Sequence, residues 1–228
     1  MIKFAAKTSP TFKDLDLLRR LQYKYVELYT TNKTINSAYT MAMIDGFSSF
    51  EYVIHAPCDT FDKNIIRFAL DIGAKLIIVH KVIANEQLKE IVNEALVYGI
   101  RVAVENVGII DGTQSEDYVR TSEDFFNLLK KVHNIDLCVD VEHACIENSF
   151  PWILYTCRDF LTHIHLSGWD SKVKKYHEPV YQNVNLFKET LLALKTIKYD
   201  GFVVCEHSTK YNTEEIWRWS KELFEKIR

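Results

Sequence analysis

The 228-residue chain has no long apolar run and no closely spaced pair of cysteines. Without a stretch of about 18 apolar residues, the sequence predicts neither a membrane span nor an N-terminal signal segment, and we expect a cytoplasmic protein. The five cysteines are scattered, odd in number and include no CxxC pair. This pattern favours reduced thiols over disulfides or a cysteine-ligated zinc.

The chain also lacks an excess of positive charge and has few glycines. The formal net charge is -3 and the sequence pI is about 6.2, so the chain has no general attraction for nucleic acid. The seven glycines include none in Thr8-Ser9-Pro10-Thr11, the loop after the first predicted strand, where a phosphate-binding loop would need them. No linker, repeat or low-complexity stretch divides the chain, so we expect one domain over residues 1–228.

What the sequence does contain is a regular alternation of strand-like apolar runs with segments of helical spacing. Strands are predicted at 2–8, 25–29, 52–56, 76–80, 101–106, 137–141, 161–166 and 202–206. Helices are predicted at 12–21, 37–44, 64–72, 85–98, 122–132, 151–160, 186–197 and from the cap at 213 to the C-terminus. Eight strand-helix units in this length predict an α/β fold, a single (β/α)8 TIM barrel. The alternative is an open doubly wound sheet, which is disfavoured because this chain has no glycine-rich phosphate loop after its first strand.

Seven of the predicted strands finish near a residue that can bind metal or carry a proton. An ionisable group at the end of a buried strand costs free energy unless it is paired or bound to metal. The carboxyl ends of barrel strands converge on one mouth, so we expect one shared site. Its members are Glu27, His55, His80, Glu105, Asp140, the pair His163 and His165, and Glu206.

The motifs around these residues resemble those of one known family. They are Ile54-His55-Ala56-Pro57, Val79-His80, Val104-Glu105-Asn106, the segment Cys138 to Ala144, His163-Ile164-His165-Leu166-Ser167 and Val204-Cys205-Glu206. Their order is similar to that in the xylose isomerase-like TIM barrels, a superfamily of sugar isomerases and epimerases that also includes endonuclease IV. The resemblance implies a divalent metal ion held by Glu105, Asp140, His165 and Glu206.

The chemistry of this metal-binding quartet agrees with the resemblance. Three carboxylates and one imidazole suit Mn, Co, Zn or Mg rather than an ion that prefers thiolates. Without a cation the carboxylates would repel one another in a partly buried mouth. His163 and His165 point to the same side of their strand, and we assign the metal to His165 because it lies nearer the mouth.

Five further residues are candidates around this centre. His55 and His80 match histidines that bind an additional zinc in endonuclease IV, sharing Glu105, so they bind either a second metal or the substrate. His143 and His177 match ligands of a third zinc there, but Lys175 stands where that site needs an aspartate. We therefore predict substrate contacts for His143 and His177, and also for Asn106, with simple packing as the alternative for His143.

Other departures from the family pattern leave the substrate open. Gly168 replaces an acid of the common His-Leu-Ser-Asp run, and residues 180–184 replace a glycine-containing loop that approaches the substrate. The cluster Lys172, Lys174 and Lys175 is interpreted as a solvated loop, with phosphate binding as the alternative.

Together these features predict a metal-dependent isomerase or epimerase of a sugar, sugar phosphate or polyol-derived ketone. Glu105 and Glu206 would transfer the proton through an enediolate, and the partner would be a small sugar-like molecule. A homo-oligomer is left open. The alternative is an endonuclease IV-like phosphodiesterase acting on abasic-site DNA, which the acidic balance disfavours. A third interpretation is a barrel that binds a sugar without catalysis.

Overall fold

The computed structural model describes residues 1–58, 62–80, 84–108, 118–170 and 175–227. Its strands are β1 Lys3–Thr8, β2 Tyr25–Tyr29, β3 Glu51–His55, β4 Leu76–His80, β5 Arg101–Glu105, β6 Asp136–Asp140, β7 Leu161–Leu166, β8 Gly168–Asp170, β9 Lys175–Glu178 and β10 Phe202–Cys205. All strands but β8 and β9 are parallel members of a closed barrel, in the order β1-β10-β7-β6-β5-β4-β3-β2. The predicted (β/α)8 barrel is therefore confirmed.

The helices surround this barrel in chain order. They are α1 Phe12–Arg20, α2 Asn32–Ile35, α3 Ala38–Asp45, α4 Asn64–Asp71, α5 Asn85–Val97, α6 Ser122–Leu129, α7 Val141–Ile146, α8 Trp152–Thr156, α9 Val184–Thr196 and α10 Glu214–Ile227. Short 3₁₀ helices occupy Arg158–Phe160, Val180–Asn183 and Thr209–Tyr211. None of the helices in the described ranges is long and apolar enough to cross a membrane.

Local sequence signals explain several of the boundaries. The side chain of Thr121 accepts a hydrogen bond from the Asp124 backbone N–H, and the Asp124 carboxylate accepts one from the Thr121 backbone N–H, which forms a capping box at the start of α6. Gly73 and Gly99 follow α4 and α5 with φ angles of +73° and +68°, the left-handed conformation that ends helices and favours glycine.

The structure adds elements that the periodicity did not predict. The antiparallel hairpin of β8 and β9 follows β7, and the short helix α7 starts immediately after β6. The helix predicted from Pro151 to about residue 160 is shorter, because α8 ends at Thr156 and a 3₁₀ turn follows. Lys172 and Lys174 of the predicted basic cluster lie outside the described residues.

The apolar core has two unequal parts. The large cluster lies between the outward-facing strand residues and the helices and includes Val104, Val139 and Trp217. A small cluster fills the inside of the barrel with Val53, Leu76, Ile78, Ala103 and Cys138. The mouth end of the interior is therefore left to polar side chains.

Candidate metal centre

The polar side chains at the carboxyl ends of the barrel strands meet inside the mouth. Strand pairing sets Lys7 beside Glu27, His80 beside Glu105 and Asp140 beside His165. Contacts also join strands that are not neighbours: His165 of β7 reaches Glu27 of β2 and Glu105 of β5. The predicted convergence of ionisable strand ends is thus a feature of the fold.

The predicted metal-binding quartet forms one compact group. One ligand atom from each of Glu105, Asp140, His165 and Glu206 lies within 4.8 Å of the others. The Nδ1 atom of His165 lies 2.7 Å from Glu206 Oε2 and 3.1 Å from Glu105 Oε1. All four side chains are buried or nearly so, which places three carboxylates around one imidazole in a small volume.

Asp140 supplies the clearest sign that this group is incomplete by itself. Its Oδ1 accepts a hydrogen bond from the His143 backbone N–H at 2.9 Å, as the N-cap of α7. Its Oδ2 is buried and has no hydrogen-bond partner among the described residues. A buried oxygen without a partner is costly, and a cation held by the quartet would satisfy it. These donors therefore fit a divalent metal ion.

A second group adjoins the first through Glu105. The Nε2 atoms of His55 and His80 lie 2.9 Å and 3.1 Å from Glu105 Oε2, while Glu105 Oε1 faces His165. The Nδ1–H of His55 donates to the Ala56 carbonyl, so its Nε2 is the nitrogen available at the mouth. The thiol of Cys58 also lies within 4.8 Å of both imidazoles, which the sequence interpretation missed.

The residues predicted to contact substrate lie beside Asp140. The Asn106 side chain donates to the Asp140 carbonyl at 3.1 Å and accepts from its backbone N–H at 2.7 Å. Asn106 thus orients Asp140, and its predicted substrate contact stays a prediction, because its amide has a second N–H and a second oxygen lone pair. His143 donates Nδ1–H to the Asn106 carbonyl, and its buried Nε2 has no partner among the described residues.

His177 lies close to His143 across the mouth. The two rings are 6.0 Å apart, and His177 has a φ of +50° on β9. Its backbone N–H donates to Glu142 Oε2 at 2.9 Å, and Ser167 Oγ donates to the same oxygen. Glu142 is fully buried and was not singled out from the sequence, since it follows Asp140 by two residues inside a helix.

Buried charges shift several pKa values at the mouth. Burial alone would raise the pKa of Glu105, but the contacts with His165 and His80 outweigh it and hold this pKa well below its usual value. Burial lowers the pKa of His80, but the contacts with Glu105 and Cys58 together outweigh it and raise this pKa to about 10. Burial and the nearby Asp140 raise the pKa of Glu142 to about 7. The mouth therefore holds strongly paired charges and one carboxyl that is poorly paired.

The sequence also missed the buried ion pairs beneath the quartet. Lys7 is 8% exposed and its Nζ lies 2.6 Å from Glu206 Oε1 and 3.2 Å from Glu27 Oε1. Glu27 in turn contacts His163 Nε2 at 2.5 Å and His165 Nε2 at 3.0 Å. The sequence offers one signal for these ion pairs, a lysine at an inward-facing strand position. That signal does not show how deeply the side chain is buried.

Comparison with known proteins identifies similar sequences and folds. The family described as the xylose isomerase-like TIM barrel matches residues 63–227 of the chain. No curated protein sequence matches it significantly.

Several solved structures share the fold along the whole chain. A D-tagatose 3-epimerase-like protein superposes with a TM-score of 0.76 at 19% identity, covering 99% of this chain and 98% of that one. A D-allulose 3-epimerase from Methylomonas sp. gives 0.76 at 14% identity, covering 100% and 98%. A family 2 AP endonuclease from Brucella melitensis gives 0.72 at 16% identity, covering 97% and 99%. At such low sequence identities, these superpositions show a shared fold and nothing further.

Proposed function

Because the chain belongs to the xylose isomerase-like TIM-barrel family, we propose that it is a divalent-metal-dependent sugar isomerase or epimerase. One observation carries the proposal: ligand atoms of Glu105, Asp140, His165 and Glu206 lie within 4.8 Å of one another, and the buried Oδ2 of Asp140 has no hydrogen-bond partner among the described residues. A divalent ion held there would polarise a substrate carbonyl and stabilise the negative charge of an enediolate.

Glu105 and Glu206 are the proposed proton-transfer residues. They end β5 and follow β10, which lie on either side of β7 in the barrel, so their carboxylates approach the centre from different directions. One would accept the proton from a substrate carbon, and the other would return it at the opposite face or at the neighbouring carbon. His165 donates Nε2–H toward Glu27 and would act only as a ligand.

Polar groups near the quartet would bind and orient the substrate hydroxyls. The Nε2 of His143 and the Nδ1 of His177 are buried without partners in the described part of the chain. In the one-metal form of the proposal, His55 and His80 would contact hydroxyls as well. A small polyhydroxy ketone or aldose fits this set, and the similar structures include proteins named as 3-epimerases of D-tagatose type and of D-allulose.

The experiment is exchange of solvent deuterium into a panel of ketoses, aldoses and inosose-type compounds by protein loaded with Mn²⁺. We expect exchange at the carbon next to the carbonyl of at least one substrate, and its loss in Glu206→Gln. Glu51→Gln serves as the control, because Glu51 lies at the opposite end of the barrel in an ion pair with Lys3. No exchange into any member of the panel would refute the proposal.

Metal-dependent phosphodiester hydrolysis is the alternative, and one observation favours it. Glu105 directs Oε1 to His165 and Oε2 to His55 and His80, an arrangement that suits a bridging ligand between two metal ions. The net charge of -3 opposes DNA binding, because few phosphates would be neutralised. Cleavage of an abasic-site duplex by the zinc-loaded protein, together with no deuterium exchange, would favour this alternative.

A further inference from the structure

Two buried residues beneath the quartet have no role in the proposed reaction. Lys7 of β1 is 8% exposed and Glu27 of β2 is fully buried. Burying an ammonium group is costly unless it is fully paired, and Lys7 is paired with two carboxylates from different strands. Its Nζ lies 2.6 Å from Glu206 Oε1 and 3.2 Å from Glu27 Oε1. The ammonium group of Lys7 thus contacts both the carboxylate of Glu206 in the quartet and the deeper carboxylate of Glu27.

Glu27 contacts the side of His165 that faces away from the quartet. The distance from Glu27 to His165 Nε2 is 3.0 Å, and His163 Nε2 contacts the same carboxylate at 2.5 Å. A neutral imidazole that donates Nε2–H to a carboxylate has its lone pair on Nδ1, so a metal ion would bind there in place of the proton that Nδ1 otherwise donates. That Nδ1 is the atom 2.7 Å from Glu206 and 3.1 Å from Glu105. The contact with Glu27 therefore determines which nitrogen of His165 faces the metal site.

We propose that Glu27 and Lys7 are positioning residues for the metal centre. Glu27 fixes the ring of His165 with Nδ1 toward the ion, and Lys7 ties Glu27 to Glu206 so that two of the four ligands share one anchor. Lys7 takes Oε1 of Glu206, which leaves Oε2 on the side of His165 Nδ1. This inference rests on the proposed metal centre and adds the pair that orients it.

The first test is the affinity for Mn²⁺ alone, measured by electron paramagnetic resonance of the free ion. Substitution of groups that hold a metal ligand typically weakens metal binding by about 10- to 100-fold, and we expect this for Glu27→Gln. Glu51→Gln is the matched control, since Glu51 also pairs with a β1 lysine, Lys3, at 2.9 Å but at the other end of the barrel. Equal Mn²⁺ affinity in Glu27→Gln, Glu51→Gln and wild type would overturn the inference.

A spectroscopic signature separates positioning from a general loss of structure. Pulsed paramagnetic resonance of protein with one equivalent of Cu²⁺ detects the remote nitrogen of a bound imidazole, and its quadrupole coupling depends on the hydrogen bond at that nitrogen. We expect this coupling to change in Glu27→Gln and to stay unchanged in Glu51→Gln. If Glu27→Gln does not fold, Glu27→Asp retains the charge but withdraws the carboxylate by one methylene, and the same change is expected. An unaltered coupling would refute the role of Glu27.

Lys7 is tested separately, with Lys3→Met as its control on the same strand. Lys7→Met should weaken Mn²⁺ binding, because Glu27 and Glu206 lose their common anchor. Unchanged or tighter binding would mean that Lys7 only balances charge, and the role assigned to it would be wrong. If wild-type protein itself binds no Mn²⁺, the proposed metal centre fails. Normal binding by both wild type and the variants refutes the positioning role alone.

Discussion

Replacing Glu142 with glutamine should make the stability of the protein less dependent on pH. Glu142 is fully buried, and its Oε2 accepts hydrogen bonds from Ser167 Oγ and the His177 backbone N–H. Glutamine has nearly the same shape, and its amide oxygen can accept both bonds. The substitution therefore removes the ionisation of this side chain while keeping its contacts.

The magnitude follows from the pKa of Glu142. Burial and the charge of Asp140 raise this pKa from 4.5 to about 7. Between these two pH values the unfolded chain has released the proton that the folded protein still holds, so stability falls as pH rises through this window. One pKa unit corresponds to about 1.4 kcal/mol, so the full effect is at most about 3 kcal/mol. Above pH 7 the folded protein contains the ionised, poorly paired carboxylate.

Denaturant unfolding at pH 5 and pH 8 measures this effect in the wild type and Glu142→Gln. A chelator is present in both cases, so that no bound ion offsets the charge of Asp140. The other titrating groups are common to both proteins and largely cancel in the difference between them. We expect the free energy of unfolding of the variant, relative to that of the wild type, to be about 2–3 kcal/mol higher at pH 8 than at pH 5. A difference independent of pH would refute the reasoning.

Three further outcomes are expected. Glu105→Gln should abolish turnover in any assay that detects activity while retaining a cooperative thermal melt, and near-normal turnover would contradict the whole site assignment. Chelation should lower the melting temperature only modestly, since the apolar shell forms without the mouth, and loss of the cooperative transition in calorimetry would contradict this. The double variant with asparagine at His55 and His80 should keep its metal content by elemental analysis but lose substrate affinity or turnover, whereas a fall from two ions to one would establish a second metal site.

The barrel was predictable because its signals are local and repeated. Strands β4 and β7 are apolar runs with ionisable ends, and helix stops such as Gly73 separate the units. The hairpin of β8 and β9 was not predictable, since strands of three and four residues give no measurable alternation. Helix α7 was missed because Asp140 was interpreted as a possible metal ligand and not also as an N-cap.

For the candidate site, the sequence predicted which residues lie together. It did not predict which atoms each of them contacts. Alternation along β7 places His163 and His165 on one face, but only the three-dimensional structure shows that Glu27 contacts both. Lys7 escaped notice because the depth of a lysine depends on partners in distant strands, here Glu206, 199 residues away. The bonds from the Asn106 side chain to the Asp140 backbone could not be predicted either, and the substrate contact expected of Asn106 stays a prediction.

Side chains alternate between the two faces of each barrel strand, so neighbouring residues differ in what a mutation changes. Mutation of one lowers the amount of folded protein, and mutation of the next alters activity. Val104 packs into the large shell between barrel and helices, while its neighbour Glu105 faces the polar mouth. Truncating a shell residue leaves a cavity and lowers the folded population, whereas a substitution in the mouth removes little apolar packing. New chemistry can therefore arise at the inward-facing positions nearest the mouth with little loss of apolar packing, whereas the deeper inward positions belong to the small apolar cluster. Adjacent codons in this gene would then be under different selective pressures.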